Sequence, residues 1–558
     1  MSLLTALVSA ALLLFALLFA YPLLAAIIRT IDDLPAALAE LGSALSSGTL
    51  QRVLGNTLIV VTGGAVIATV FGTALAYINE RTDANIGLLS ELLPLAPLLV
   101  PSIAGVIGWA VLLDPRAGLL NSGLRQLLAQ MGSTMRAGPF NIYSAEGLVI
   151  MTGIYLVPYC YLVVAAALRR LDPSIEEASR VAGAGPLRTF LQVSLPAIRP
   201  AITNALVIAA VGGIGMFSVP IVLGTAARME VLSVHVFRLL DSYPPHTAYA
   251  LALSVMLMIG VQLLLLVQRL AISNERHAAV GGRGLRSGIR PLGRWKGPAR
   301  SLLVLYIAIT SVMPVAGLLL VSLQSFWTPD IKWAQLSVAN YSFVLLENGP
   351  TSRALVTSLG LGAVTASVAM VGFGTIVLHL RFDHPTLARV AKVVINLPTT
   401  VPHTVIGASF LVAFGVAPFW LYGTLTILFL AYLLMAMPFA ARTAAAAASV
   451  IAKELVEASQ VAGARETRTL AHVLLPLAWP GLLAGWIIVF IHTVGEVTAS
   501  SLLAGARNPV IGRAITELWI FGNFPQVAAL SLLVTVVTAT LVGLLLLLSR
   551  RNIASTLG

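Results

Sequence analysis

The chain has 558 residues, of which 58% are hydrophobic and 10% charged, and its formal net charge is +12. Soluble domains carry about a quarter charged residues, so this composition excludes an ordinary soluble enzyme and indicates a polytopic membrane protein. Cys160 is the single cysteine of the sequence, which excludes a disulfide framework and a thiolate zinc site.

Apolar runs long enough to cross a hydrocarbon core of about 30 Å recur along the chain. Six predicted spans lie at 3–28, 56–78, 88–113, 146–168, 200–224 and 246–268. A second set lies at 301–323, 354–380, 390–415, 420–441, 480–504 and 524–548. The first run lacks the basic segment of a signal peptide, so we expect it to be a retained span. The sequence therefore predicts an all-α polytopic membrane protein of about 12 transmembrane helices.

A basic segment joins the two sets of spans. Residues 269–300 contain eight Lys or Arg against one Glu. Positive residues beside spans mark the cytoplasmic side. If this linker, the C-terminus and the loops on the same side are cytoplasmic, their charges sum to about +13. We therefore expect a cytoplasmic linker that contacts membrane lipid and no nucleic acid. The predicted domains are a first repeat, 1–268, the linker, and a second repeat, 301–558.

One water-compatible segment occurs twice in this apolar chain. EEASRVAGAGPLRTFLQVSLPAIRP, residues 176–200, returns as VEASQVAGARETRTLAHVLLPLAWP, residues 456–480, with 13 identities over 25 positions. Earlier in each half the offset between matching residues changes from 280 to 301, as two proline pairs show: Pro97 with Pro398, and Pro101 with Pro402. The halves are therefore internal repeats. An even number of spans in each predicts two parallel six-helix repeats.

The first copy of the segment predicts a helix, a glycine joint and a second helix. Asp172 can cap the start of the first helix, and Pro173 suits its first position. Gly183 permits the left-handed conformation that ends a helix. The second copy has Ala452 and Lys453 in place of Asp172 and Pro173, so we expect its first helix to start differently.

Two copies of one segment indicate a partner that also comes in two copies. Small residues with one carboxylate describe a compact helix that can enter a groove on another protein. The alternative is a pair of interfacial helices that bridge consecutive spans, in which the small residues serve packing alone.

The repeated segment resembles the EAA loop of binding-protein-dependent (type I) ABC importers. The residues that carry the resemblance are Glu177, Ala178, Ser179 and Gly183 with Leu195-Pro196, and Glu457, Ala458, Ser459 and Gly463 with Leu475-Pro476. Serine stands where that motif usually has its second alanine. The resemblance implies that loops 171–199 and 451–479 are coupling loops that fit a cleft on a cytoplasmic ATPase. It also implies a fused permease, in which one chain supplies both membrane halves.

The resemblance further implies two copies of the ATPase, an external solute-binding protein and a location in the bacterial inner membrane. The sequence has no G-x-x-x-x-G-K-[ST] motif, so we expect ATP and Mg²⁺ to bind to the ATPase. We expect no catalytic residue, cofactor or metal site in this chain. A gradient-driven secondary transporter with six-plus-six spans is the alternative of another class, although its signature between the second and third spans is absent from INERTDAN.

Ionisable residues within spans mark candidate residues of the translocation pathway. Glu496 is the clearest of these, and His492 lies four residues earlier on the same helical face. Met216 occupies the matching place in the first half. The alternative for Glu496 is a structural hydrogen bond to a neighbouring span. His403, which follows Pro402, is predicted to serve packing or a helix bend.

The transported solute is suggested by resemblance alone. Residues 138–150 and 495–505 look most like the ferric-iron type of fused permease, while thiamine, polyamine and phosphonate permeases are also similar. Ferric iron is a hard cation that prefers oxygen ligands, and the predicted spans contain few carboxylates. The resemblance implies that solute affinity lies mainly in the separate binding protein.

Overall fold

The computed structural model describes residues 3–556 except 88–89, 91–96, 98–99, 133–134, 274–288 and 383. The described chain consists of helices and loops, with one isolated parallel bridge between Thr82 and Arg290. The predicted all-α polytopic fold is confirmed. The central part of the predicted linker, residues 274–288, lies outside the described residues, and the domain limits at 268 and 301 stay predictions.

The helices fall into two sets that follow the two halves of the sequence. The first half contains α1 (Leu3–Asp32), α2 (Leu34–Ser46), α3 (Thr49–Arg81), α4 (Ser102–Leu113), α5 (Leu119–Gln130), α6 (Ala145–Arg170), α7 (Pro173–Val181), α8 (Arg199–Gly215), α9 (Leu232–Asp241) and α10 (Thr247–Ser273). The second half contains α11 (Lys296–Ile307), α12 (Met313–Ser322), α13 (Gly349–His379), α14 (Pro385–Asn396), α15 (His403–Phe414), α16 (Leu425–Ser449), α17 (Lys453–Val461), α18 (Leu475–Val494), α19 (Thr498–Leu503), α20 (Ile511–Ile520) and α21 (Phe524–Thr556). Shorter α, 3-10 and π segments connect them: Pro186–Thr189, Phe190–Ser194, Leu195–Ala197, Pro220–Gly224, Thr225–Ala227, Gly293–Trp295, Ala308–Val312, Trp333–Gln335, Ala339–Ser342, Phe343–Glu347, Leu397–Thr400, Glu466–Thr469 and Leu470–Leu474.

The number of membrane-crossing helices depends on how bent helices are counted. Nine helical stretches of the described chain are long and apolar enough to cross a membrane, and three sharply bent pairs raise the number to twelve. One of these pairs joins Pro220–Ala227 to α9 at 90°. The predicted span 200–224 includes the start of this pair, whereas α9 lies between two predicted spans. Conversely, the predicted span 88–113 is described as a helix only over α4, because much of 88–99 lies outside the described residues.

Three spans predicted as continuous are broken in the structure. The span 200–224 stops where α8 ends, the span 390–415 bends by 97° before α15, and the span 480–504 is interrupted between α18 and α19. Pro402 explains the second break, because proline lacks the N–H of a helical bond and disfavours a helical residue before it. The other two breaks follow Gly215 and Gly495. Hydropathy does not detect them, because the residues on both sides remain apolar.

The first span of each half packs against helices of the other half. In the second half, Gly317 of α12 packs on Gly108 and Leu112 of α4. The Trp109 indole N–H also donates to the carbonyl of Ile309 at 3.1 Å. In the opposite direction, α1 of the first half packs along α15. The two repeats are therefore interlocked around a shared interface.

Replacing Gly108 with alanine is expected to loosen this interlock. An added Cβ would lie 2.4 Å from the Pro314 carbonyl oxygen, and forcing atoms into a packed contact costs about 1–3 kcal/mol. The thermal unfolding midpoint of the purified protein should fall. The matched control is Gly360→Ala in α13, because no atom of the described residues would lie within 4 Å of its Cβ and alanine favours helix. An unchanged midpoint for Gly108→Ala would contradict the packing.

Candidate functional site: two elbows and a central passage

The repeated segment forms the same bent structure in both halves. We call residues 171–199 the first elbow and residues 451–479 the second elbow. Each begins with a nine-residue helix, α7 or α17, that ends at a glycine in the left-handed conformation, with φ of 82° at Gly183 and 81° at Gly463. The amide after each glycine donates back to the carbonyl of Ser179 or Ser459, at 3.0 and 3.1 Å. This is the Schellman pattern, so the predicted glycine joint is present twice.

The two elbows start with one difference. The Asp172 carboxylate accepts a hydrogen bond from the Ser174 N–H at 2.9 Å, and this bond lowers the pKa of Asp172 because it favours the charged form. Ala452 has no such side chain, yet its backbone angles, −64° and 140°, are close to the −64° and 120° of Asp172. The expected difference is therefore confined to the cap, and the path of the chain is shared.

A pair of hydroxyl groups braces each elbow from inside. The hydroxyls of Ser179 and Thr189 hydrogen-bond at 3.1 Å, and those of Ser459 and Thr469 at 2.8 Å. Both threonines are buried and both serines are half-buried. The serine that departs from the usual motif thus joins the first helix of each elbow to its second part.

The remaining candidate coupling residues lie on the exposed face of each elbow. The exposed residues among them are Glu177, Ala178 and Gly183 in the first elbow, and Glu457, Ala458 and Gly463 in the second. A valine stands at the tip of each elbow, and Val181 and Val461 are 91% and 90% exposed. Each elbow therefore presents a small, partly apolar tip with one carboxylate beside it.

Two arginines that the sequence analysis missed hold the elbows to the spans. Arg81, the last residue of α3, donates from Nη2 to the carbonyl of Leu171 at 2.6 Å. Arg381, just after α13, donates in the same way to the carbonyl of Ile451. Leu171 and Ile451 are the first residues of the two elbows. The available sequence signal was an arginine shortly after the second span of each half.

One internal contact differs between the elbows. Buried Glu176 accepts a hydrogen bond from the Ser194 hydroxyl at 2.6 Å. At the matching positions the second elbow has Val456 and Leu474, which are both buried. A polar pair in one copy thus corresponds to two apolar residues in the other.

The broken spans of opposite halves contact each other. A Cβ on Gly215, at the end of α8, would lie 3.6 Å from Cα and Cβ of Pro402, which precedes α15. A Cβ on Gly495, directly after α18, would lie 3.7 Å from Cβ of Pro101, which precedes α4. The two contacts are equivalent under the repeat. We call these two contacts between the halves the candidate constriction.

Glu496 lies directly after this constriction and caps the next helix. Its two carboxylate oxygens accept the backbone N–H groups of Ala499 and Ser500, each at 2.9 Å. The Ser500 hydroxyl also donates to the Glu496 carbonyl at 2.7 Å. The side chain is 6% exposed. Glu496 therefore positions α19, through bonds to its own segment of the chain.

The other candidate pathway residues, His492 and Met216, have neighbours of their own. The ring of His492 lies 5.9 Å from that of His403 and 4.4 Å from that of Phe439, measured between centroids. His403 begins α15 after the bend at Pro402, as its predicted bend position requires. Met216 ends α8 in the first half, where its carbonyl accepts the Ser233 hydroxyl at 2.8 Å. It offers no acid to match Glu496.

A cavity of about 990 Å³ lies between the halves at the ends of the spans opposite the elbows. Its polar lining combines oxygen groups and two cations: Tyr21, Asp32, Asp241, Tyr422, Ser501, Arg29 and Arg513. Ser501 and Leu502 belong to α19, the helix that Glu496 caps. The sequence does not reveal this cavity, because its lining residues come from distant segments of both halves.

The family described as "Binding-protein-dependent transport system inner membrane component" matches residues 64–273 and again residues 370–555. The chain belongs to this family. Because the family occurs twice in one chain, the protein is a fused two-domain permease of the type I ABC importer class, as the repeated motif predicted. The resemblance given by the EAA loop is thereby confirmed.

Several curated relatives are similar over most of the chain. The ferric transport system permease protein FbpB of Actinobacillus pleuropneumoniae is 24% identical over 472 residues, which cover 84% of this chain and 66% of that protein. The putative ferric transport system permease protein FbpB 1 of Haemophilus influenzae is also 24% identical, with 84% and 72% covered. The putative 2-aminoethylphosphonate transport system permease protein PhnV of Salmonella typhimurium is 26% identical and covers 44% of this chain. The chain thus spans slightly less than two thirds of the first relative.

Replacing Glu496 with glutamine is expected to slow transport while leaving the protein folded. A carboxamide keeps one acceptor oxygen and turns an N–H donor toward a backbone N–H, and hydrogen bonds to charged groups contribute about 1.5–3 kcal/mol. Uptake in reconstituted vesicles should fall at least tenfold by that measure. The control is Glu347→Gln, an exposed glutamate. Unchanged uptake by the Glu496 variant would reduce this residue to a structural cap.

Proposed function

We propose that this protein is the membrane subunit of an ATP-driven importer that passes ferric iron from an external binding protein to the cytoplasm. The observation that carries the proposal is the pair of matched elbows on one side, with a shared constriction and a cavity beyond it. Two ATPase subunits, which bind ATP and Mg²⁺, would each receive one elbow. The chain itself supplies the passage.

The elbows are connected to the constriction by single helices. α8 and α18 run from the two elbows to Gly215 and Gly495, the residues that contact the prolines of the opposite half. Arg81 and Arg381 also fix the start of each elbow to the ends of α3 and α13. Movement of the elbows by the ATPases would therefore shift both sides of the constriction together. This coupling gives the alternation between inward and outward openings.

The elbow side is assigned to the cytoplasm. The end of the basic linker lies beside the first elbow's anchor, since Lys296 pairs with Asp83 at 2.9 Å, two residues after Arg81. Positive residues beside spans favour the cytoplasmic side. The cavity side then faces the external binding protein, and the membrane is the bacterial inner membrane.

Ferric iron is favoured as the solute by two observations. Two similar proteins that each align with 84% of this chain are named as ferric transport permeases. The cavity also offers two phenols and two carboxylates, from Tyr21, Tyr422, Asp32 and Asp241, and hard cations prefer such oxygen ligands. Membership of a binding-protein-dependent family argues against the gradient-driven alternative.

A phosphonate is the second candidate solute. Arg29 and Arg513 line the cavity, and arginine suits phosphate-like groups. Both guanidinium groups already have carboxylate partners, however, at 2.9 Å from Asp33 and 2.7 Å from Glu517. Iron is therefore preferred to a phosphonate. A polyamine has narrower support, because the spermidine/putrescine permease PotC of Haemophilus influenzae is 30% identical to this chain but over only 22% of its length.

Replacing Glu177 and Glu457 together with glutamine is expected to abolish uptake by weakening attachment of the ATPase. Both carboxylates are exposed beside the elbow tips, and each charged hydrogen bond lost costs about 1.5–3 kcal/mol. ATPase recovered with the tagged permease should fall at least tenfold by that measure. The control is Glu454→Gln, because Glu454 is also exposed on the second elbow. Full ATPase recovery with the double variant would reject the docking role.

The solute can be tested with the complete transporter in proteoliposomes. With its ATPase and binding protein present, the permease should accumulate radioactive ferric iron in an ATP-dependent manner. An excess of 2-aminoethylphosphonate, thiamine or spermidine should leave that uptake unchanged. ATP-dependent uptake of one of these solutes without iron uptake would replace iron and leave the importer class intact. Uptake driven by an ion gradient without ATP would overturn the class.

A further inference from the structure

Three side chains that the proposed transport cycle does not use converge at the second elbow. They are His379 at the end of α13, His384 in the following turn, and Glu466 in the second part of the elbow. Their possible ligand atoms all lie within 4.8 Å of one another. His379 is fully buried, and the other two are about one quarter exposed. Sequence spacing did not reveal this cluster, because Glu466 is 82 residues beyond His384.

The nitrogen atoms that face the carboxylate are not hydrogen-bonded to it. His379 Nδ1 lies 3.9 Å from one oxygen of Glu466, and His384 Nε2 lies 3.6 Å from the other. Both distances exceed those of a normal N–H to oxygen bond. Within the described part of the chain, both nitrogens are buried without a hydrogen-bond partner. Such unpaired polar atoms are uncommon in folded proteins.

The distances between the ligand atoms suit a shared metal ion better than a direct hydrogen bond. Ligands about 2.0–2.1 Å from a tetrahedral Zn²⁺ ion lie about 3.3 Å from one another, a few tenths of an ångström less than the two observed distances. Two imidazoles and one carboxylate are ligands for divalent transition metals, and they leave a position open. The carboxylate supplies negative charge to the two neutral rings.

The orientation of His379 is also fixed for such a role. Its other ring nitrogen, Nε2, lies 3.2 Å from the Thr5 hydroxyl oxygen of α1. When Nε2 donates its proton to Thr5, the Nδ1 lone pair points toward Glu466. A metal-binding histidine commonly donates its second nitrogen in this way.

We propose that His379, His384 and Glu466 form a binding site for one divalent transition-metal ion. The ion would tie the second elbow to the end of α13, next to the Arg381 bond to Ile451. Pro186 occupies the position in the first elbow that matches Glu466, so the first elbow has no counterpart. The site is separate from the passage, and it does not depend on which solute is transported.

The test measures Zn²⁺ binding to the purified, metal-stripped full chain in nanodiscs by competition with a chromophoric chelator. We expect one equivalent of Zn²⁺ per chain. His384→Ala and Glu466→Gln should each weaken binding at least tenfold, and both residues are exposed enough for the variants to fold. The matched control is His472→Ala, because His472 is exposed on the same elbow outside the cluster. An anaerobic titration with Fe²⁺ then identifies which metal is preferred.

Two further measurements make the outcome decisive. X-ray absorption of the bound metal should show two imidazole nitrogens and oxygen ligands, and Zn²⁺ should slow hydrogen exchange over residues 462–474 in the wild type but not in His384→Ala. Equal Zn²⁺ binding by the wild type and the His384→Ala/Glu466→Gln double variant would overturn the proposal. So would an equally large loss in His472→Ala.

Discussion

The structure depends on one constraint of the membrane interior, where each backbone N–H and C=O must find a partner within the protein. Continuous helices satisfy this constraint, but the spans near Pro402, Gly215 and Gly495 are broken. The breaks lie where the two halves meet, and their backbone groups are satisfied by local side chains. Glu496 accepts two free amides of α19, and Ser233 donates to the carbonyl that ends α8. The contacts at these breaks therefore require both repeats.

The two elbows share some structural features and differ in others. The glycine joint, the serine–threonine brace and the arginine bond occur in both copies. These shared features determine the path of the chain. The differences are local contacts: Glu176 bonds to Ser194 within the first elbow, whereas Glu466 of the second elbow lies near His379 and His384. The two elbows thus present equivalent surfaces although the halves differ in their internal contacts.

The sequence predicts the features that depend on local chemistry. Apolar runs predicted the long helices, a constant offset predicted the repeats, and glycine in a charged segment predicted the joint at Gly183. It could not predict the breaks after Gly215 and Gly495, because hydropathy does not change there. It also missed the exchanged first spans, the cavity and the bond from Arg81 to Leu171, because these contacts join residues far apart in the chain. Glu496 was found as an unusual acid, but its bonds to Ala499 and Ser500 required the structure.

The central claim is that the two elbows approach each other when the ATPases bind ATP, and that this motion opens and closes the passage. Spin labels at Val181 and Val461 would report this motion, because these tip residues are 91% and 90% exposed and the natural Cys160 is buried. Pulsed electron paramagnetic resonance would measure their separation in the full transporter, with and without ATP bound to an ATPase variant that cannot hydrolyse it. The account predicts a shorter separation with ATP. An identical distance distribution in both states would contradict it.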